Sequence, residues 1–449
     1  MDDKLKATDP RVRRGRRGGR PWPHRNSADR IQLRQRLLER MPAWDPGDRF
    51  LFEPPAGDTE PYQQAVELFT GFTVLPVSMV GPVRVHLGAY ELEPVRGELQ
   101  ERSRSLDEVI VPLGHTEGGL AASLHRGAVA TANDGGITTH VLSDRMTRDC
   151  CFVFGSSEEA LRFSRWVEAE APQMRAWLED PDNPLRRLSV QGVGRLSRHA
   201  RLWEVDTHVI GGMCHVLYRF TTGDACGPNM ITRNSYALNQ EYILPRYDGE
   251  KPQHIFLEAN MGGDKKPSHS YFERGGHGKE VMAEARLSRG TLTRVLHTSA
   301  RDLLALAHAG VHGALASGMD SFSFTPASAV AAIFATTGQD LGMVGTSSMA
   351  HGIIQPAPED GVSFSLRLPN LEVGTIGGGT GLPYAAAHLR IMGCRGEGSV
   401  YRLAQIVAAA ALCLEISASA AMATDGSARF YQAHLERGGL RGERPGEVD

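Results

Sequence analysis

The chain has little that would tie it to a metal, a nucleic acid or an oxidising compartment. Of its 449 residues only six are cysteine: Cys150, Cys151, Cys214, Cys226, Cys394 and Cys413. None forms a C-x-x-C pair, which removes zinc ribbons and thioredoxin-like sites, and their scatter suits free thiols in a reducing cytoplasm. There is no H-E-x-x-H and no G-x-S-x-G, and "GGHGKEV" fails as a phosphate loop because Glu280 stands where Ser or Thr must follow Gly-Lys. A formal net charge of −3, with 22% charged residues, provides no global field for a polyanion. The start, "MDDKLKATDP", lacks the apolar stretch of a secretory signal. Only one long hydrophobic run occurs, "LAQIVAAAALCLEISASAAMA" at 403–423. It carries Glu415 and several serines, so it reads as a helix buried in a soluble core. These lacks predict a cytoplasmic protein with no metal, nucleic-acid or membrane partner.

What is present divides the chain. Residues 1–28 are polar and contain the basic run "RVRRGRRGGRPWPHR", which could touch RNA or acidic lipid but is read as a disordered tail. A small helical region follows over 29–68. "FTVLPVSMVGPVRVHL" at 72–87 has β-branched residues interrupted by prolines and predicts strand plus turns. "HTEGGLAASLHRGAVATANDGG" at 115–136 predicts a helix whose small residues let another element pack very close. Between 150 and 256, strand-like "CCFVFG", "ARLWEVDTHVI" and "CHVLYRFTTG" alternate with helical "SEEALRFSRWVEAEAPQMRAWLED". That alternation predicts a small α+β unit. From about 280 onward Ala-rich helices dominate, and 441–449 read as a disordered end. The organisation expected is a large domain over 69–149 and 257–440, interrupted by an insert at 150–256.

Several loops carry residues suited to chemistry. In "ANMGGDKKPSHS" two mutually repelling ammonium groups, Lys265 and Lys266, follow Asp264. Gly262, Gly263 and Pro267 exclude a helix there. A stiff loop thus holds two cations. Taken singly the other candidates have plain structural readings. Glu117, near a helix start, suits the helix dipole. Asp224 and Asn229 in "TGDACGPNM" suit a turn, and Gly338, Gln339 and Asp340 in "ATTGQDLGM" suit a helix end. "GTIGGGTGLP" at 374–383 is either a ligand loop or a tight turn.

Their order says more than any one of them. "TEGGLAAS", "RMTRD", "TGDACGPNM", "DKKP", "AAIFATTGQD" and "EVGTIGGGT" occur in this order across roughly residues 70–440. In this the chain resembles the 3-hydroxy-3-methylglutaryl-coenzyme A reductase family, in its NADPH-using form without a membrane anchor. The resemblance implies an α+β fold: a large helical substrate domain around a central helix, with an inserted ferredoxin-like NADPH-binding domain. It implies reduction of an acyl-CoA thioester to an alcohol by two hydrides from NADPH, and at least a homodimer. It assigns catalysis to Glu117, Lys265, Asp340 and a flap histidine taken as His434. Lys265 would stabilise the oxyanion, Glu117 would supply a proton, and Asp340 would link the two. It assigns Arg126, Asp224, Asn229, Gly377, Gly378 and Gly379 to NADPH. Ser123, Arg148, Asn260, Asp264 and Lys266 fall to the substrate, with Arg148 gripping the acyl carboxylate. Arg195, Arg198 and Arg201 are candidates for the cofactor's 2′-phosphate, or else a solvated basic face.

The chain also departs from the family pattern. Tyr431 stands at the flap histidine's usual spacing, and His434 follows three residues later. Thr325 and Ser328 replace a histidine and an asparagine, His308 replaces a lysine and Glu258 replaces a serine. The catalytic groups persist while the acyl pocket differs. That leaves room for a different branched acyl thioester, or for a paralogue that binds NADPH or coenzyme A without turnover.

Overall fold

The computed structural model describes residues 28–39, 46, 52–53, 58–93, 98–186, 196–197, 199–273, 275–424, 427–428 and 430–431. The basic tail before residue 28, Arg195, Arg198, His434 and the 441–449 end lie outside them. The chain divides between Val74 and Leu75 into two compact units. In the first, helices Ala28–Leu38 and Glu60–Ala65 are described. There Phe72 meets Tyr62 and Phe69 edge-on, with ring centroids 5.0 and 5.2 Å apart.

Among the described residues the second unit holds nine strands: β1 Val77–Leu92, β2 Leu99–Gly114, β3 Ile137–Val153, β4 Arg201–Ile210, β5 Met213–Thr221, β6 His254–Phe256, β7 Gly278–Leu287, β8 His351–Ala357 and β9 Gly361–Leu371. The main sheet runs β2-β1-β3-β7-β9-β8. β1 and β2 form a long antiparallel ribbon with a register shift between Val80 and Val83, at the Gly81–Pro82 break expected from sequence. A strand cannot keep its ladder at proline, so the interruption falls there. From 280 onward helices dominate, as the sequence predicts, with Ala300–Ala316, Pro326–Thr337 and Ser399–Met422 the longest, and β7, β8 and β9 lie among them. β7 and β9 alternate over residues 281–287 and 362–368, with Val, Ala, Phe and Leu buried on one face and more open, mostly polar residues on the other.

The one long apolar run is the helix Ser399–Met422, long and apolar enough to cross a membrane but with 94% of its apolar window buried inside the fold. Nearly every residue of it is buried. Gln405 and Glu415 within it are satisfied. Gln405 bonds both the N–H and the C=O of Gly88, at 2.8 and 2.9 Å, and both oxygens of Glu415 accept from the Phe324–Thr325 backbone. Helix Leu120–Asn133 packs on it through the small residues noted in the sequence. A β-carbon on Gly127 would come within 1.9 Å of the Cys413 carbonyl oxygen, so only glycine permits this approach.

β3 belongs to two sheets. Its first half pairs with β1 and β7, and residues 146–153 pair with β5, with β6 joining at 151–153. From there the chain runs β3, helix Ser157–Glu179, β4, β5, helix Pro228–Ala237, β6, with antiparallel strand order β6-β3-β5-β4. This is the β-α-β-β-α-β ferredoxin-like arrangement. Its own core gathers Phe152, Phe163, Val216, Tyr218, Phe220 and Ile231. Ser156 and Glu159 form a reciprocal capping box at the start of its first helix.

Candidate active site

The Asp264-Lys265-Lys266 loop is a non-helical turn, as its glycines and proline predict. Asn260 and Lys265 both sit in the left-handed region, at φ +72° and +59°. A non-glycine residue there costs energy and persists where the surroundings impose it. The Gly263 N–H donates to the Asn260 carbonyl at 3.1 Å, and the Lys266 N–H to that of Gly263 at 2.9 Å. The Tyr271 hydroxyl donates to the same Gly263 carbonyl. The loop aims the Lys265 ammonium at Asp340, Nζ to Oδ2 2.7 Å, and both side chains stay 46% exposed. The hydrogen bond to Asp340 raises the Lys265 pKa above its ordinary value. Burial pushes the Asp340 carboxyl up, but the Lys265 bond and the Gly342 N–H outweigh it and hold the carboxyl low. The pair is therefore a fixed ammonium beside an ionised carboxylate.

Asp340 follows helix Pro326–Thr337, which ends at Gly338 in the left-handed conformation. Gly338 and Gly379 touch backbone to backbone: a β-carbon on either would come within 2.6 Å of the other's carbonyl oxygen. That contact seats the Gly-rich loop beside the Lys265–Asp340 pair. β-Carbons on Gly377 or Gly378 would meet nothing within 4 Å, so this stretch faces open space. The 374–379 loop is in turn bonded to the 222–230 loop, through the Thr375 N–H to the Asp224 carbonyl at 2.8 Å and an Ala225–Ile376 bridge.

The other candidates fall around this centre. The Asp224 carboxylate accepts from the Gly398 and Val400 N–H groups at 2.9 and 3.0 Å, capping the buried helix Ser399–Met422. Both of its oxygens are thus engaged by the protein. Asn229 is exposed in the first turn of helix Pro228–Ala237. Glu117 lies in the loop ahead of helix Leu120–Asn133, exposed, and no described residue hydrogen-bonds or ion-pairs with its carboxylate. The Lys265–Asp340 half of the expected triad is thus assembled, and Glu117 is not joined to it. Ser123 and Arg126 reach Ser417, at 2.8 and 3.0 Å between side chains, and Arg126 also donates to the Ser417 carbonyl. Lys266 is exposed and bonds the Asp264 carbonyl.

Arg148 is already occupied. Its Nη1 lies 2.5 Å from Glu258 Oε2 and its Nη2 3.2 Å from Asp264 Oδ2, with the arginine side chain 7% exposed. The Glu258 side chain is 32% exposed. Among the departures, Thr325 donates its hydroxyl to Glu415, His308 is exposed beside His312, and Tyr431 is 65% exposed.

The fold assembles two further groups, one around Lys279 and one around His277 and Glu372, residues that no sequence signal marks. Lys279 is fully buried and reaches Asp144, Thr222 and the Ala225 carbonyl, pinning the 222–230 loop to the main sheet. Asp264, His277 and Glu372 bring ligand-type atoms within 4.8 Å of one another. His277 Nε2 and Glu372 Oε2 lie 3.3 Å apart without hydrogen-bond geometry.

The model of the family described as Hydroxymethylglutaryl-coenzyme A reductase matches residues 31–438. A 3-hydroxy-3-methylglutaryl-coenzyme A reductase from Aeropyrum pernix is 35% identical over 388 residues, 85% of this chain and 84% of that protein. One from Pyrococcus abyssi is 31% identical over 371 residues, covering 79% and 83%. The fold is also similar to a class II 3-hydroxy-3-methylglutaryl-CoA reductase from Streptococcus pneumoniae solved with NADPH in open conformations. The TM-score there is 0.59 at 17% identity, over 89% of this chain and 97% of that one. With its motifs in order and its site loops converging, the chain belongs to the hydroxymethylglutaryl-coenzyme A reductase family.

Proposed function

We propose that this protein reduces 3-hydroxy-3-methylglutaryl-CoA to mevalonate and free coenzyme A, consuming two NADPH and two protons per thioester. The observation that carries the reading is the Lys265–Asp340 pair: a rigidly held, half-exposed ammonium beside an open Gly-rich loop. Hydride addition to a thioester carbonyl leaves negative charge on oxygen, and a preorganised cation there lowers the barrier. Asp340 keeps Lys265 protonated and in place while leaving ammonium hydrogens for that oxygen. Glu117 is the proton donor for the aldehyde stage, and its carboxyl has no described protein partner to compete for it.

The open backbone at Gly377 and Gly378 fits the approach of a flat ring, and Asn229 lies where the positive end of a ten-residue helix meets solvent. We assign these residues and Arg126 to NADPH, which supplies the hydrides when bound. Asp224 acts one step back, holding the 222–230 and 374–379 loops and the Ser399–Met422 helix together. Arg148, Lys266, Asn260, Asp264 and Ser123 are assigned to the acyl-CoA, and His434 to protonating the departing thiolate. A second copy of the chain completes the site and covers Glu117. Purified protein given 3-hydroxy-3-methylglutaryl-CoA and NADPH should oxidise two NADPH per mevalonate formed, with no comparable rate on NADH. Tight NADPH binding without turnover on any acyl-CoA would replace this reading with a non-catalytic one.

A further inference from the structure

Arg148 is the most deeply buried cation assigned to the acyl group, and the protein itself saturates it. One carboxylate, Asp264, comes from the catalytic loop; the other, Glu258, comes from the segment leading into it. Glu258 is not loosely placed. Its second oxygen accepts the Asn260 N–H at 2.9 Å, and Asn260 is itself fixed in a left-handed conformation. The Arg148, Glu258 and Asp264 side chains together carry −1. A carboxylate arriving from solvent would have to displace Glu258 against that backbone anchor, or become the third carboxylate on one guanidinium. Either route is unfavourable for an anion in a mostly desolvated place. An uncharged acyl end meets no such competition.

We infer that Glu258 acts as an internal carboxylate on Arg148 and sets the acyl preference of the site. The protein therefore favours a branched 3-hydroxyacyl thioester with an uncharged far end over its carboxylate-bearing counterpart. This rests on the reading that the acyl group lies between Arg148 and Lys265. Glu258 works through Arg148 and is a positioning residue. Lys266 remains exposed near the loop, so affinity for an acidic acyl group is lowered and not abolished.

The test compares 3-hydroxy-3-methylglutaryl-CoA with 3-hydroxy-3-methylbutyryl-CoA, which lacks the carboxylate, on wild type and Glu258→Gln. The amide oxygen of glutamine can still accept the Asn260 N–H, so the variant removes charge with little change of shape. The wild type should turn over the uncharged thioester with the higher kcat/KM. The ratio of kcat/KM for the acidic over the uncharged thioester should rise at least tenfold in Glu258→Gln, mainly through KM. Adding Arg148→Met should erase that gain. A wild type that prefers the acidic thioester, an unchanged ratio in Glu258→Gln, or a gain that survives Arg148→Met overturns the inference. If neither thioester is reduced by any variant, the proposed function fails. Calorimetry with free 3-hydroxy-3-methylglutarate still decides the role of Glu258: at least tenfold tighter binding to Glu258→Gln sustains it, and equal binding ends it.

Discussion

Replacing Lys265 by alanine separates catalysis from stability, because the two effects differ in size. Lys265 and Asp340 are each 46% exposed, and an ion pair so open to water contributes about 0.2–1 kcal/mol to folding. Alanine keeps the β-carbon, so the cost of the +59° backbone is unchanged. Thermal unfolding should therefore move by roughly 2 °C at most. The same ammonium, if it faces the oxyanion, contributes about 3–4 kcal/mol to the transition state, or about 10²–10³ in kcat. Glycine at this position relieves the left-handed strain, about 1–3 kcal/mol, so Lys265→Gly should be as inactive as Lys265→Ala and no less stable. The assay is NADPH oxidation with 3-hydroxy-3-methylglutaryl-CoA, beside melting curves of both variants. Either variant keeping more than a tenth of the wild-type kcat would refute the oxyanion role. The pair also predicts where pH should have no effect on stability. The raised Lys265 contributes fully below its ordinary 10.5, and its part is lost as pH rises through the higher folded value. The lowered Asp340 contributes fully above its ordinary 3.8, and its part is lost as pH falls through the lower folded value. The difference in stability between wild type and Lys265→Ala should thus stay flat between these limits.

Gly127→Ala would drive a β-carbon into the Cys413 carbonyl, so denaturant melts should show a loss of about 1–3 kcal/mol or more. Asp224→Ala should cost about 1–2 kcal/mol by uncapping Ser399–Met422. Asn229→Ala should instead leave stability unchanged and weaken NADPH in a titration; the reverse pattern would exchange their roles. His434→Gln should slow thioester reduction far more than reduction of the free aldehyde, since only the former expels a thiolate. If Tyr431→Phe produced that selective loss, the flap assignment would move to Tyr431.

Features that depend on local chain chemistry were legible without coordinates. The buried helix could be told from a membrane span by Glu415 and its serines. Gly338 was recognisable as a helix end, and the small residues of the Glu117 segment as a place of close approach. The Lys265 loop was marked by the conflict between paired cations and helix-breaking neighbours. What escaped depends on register and burial. Asp224 sits in a Gly-Pro turn whose sequence is the same for a cofactor contact and for a cap on a helix far along the chain. Glu258 was visible as an odd residue in the acyl pocket, but that it grips Arg148 emerges only when β3 and the catalytic loop lie side by side.

The double membership of β3 has a mechanical consequence. The ferredoxin-like module is not hung on flexible tethers. Its first strand is the continuation of a main-sheet strand, and its last, β6, returns hydrogen-bonded to that same strand. The module and the main sheet thus share one beam, and Arg148 lies on it just past the point where one sheet hands over to the other. Any twist of the module against the main sheet therefore passes through the strand that carries Arg148, as two hands of one lever.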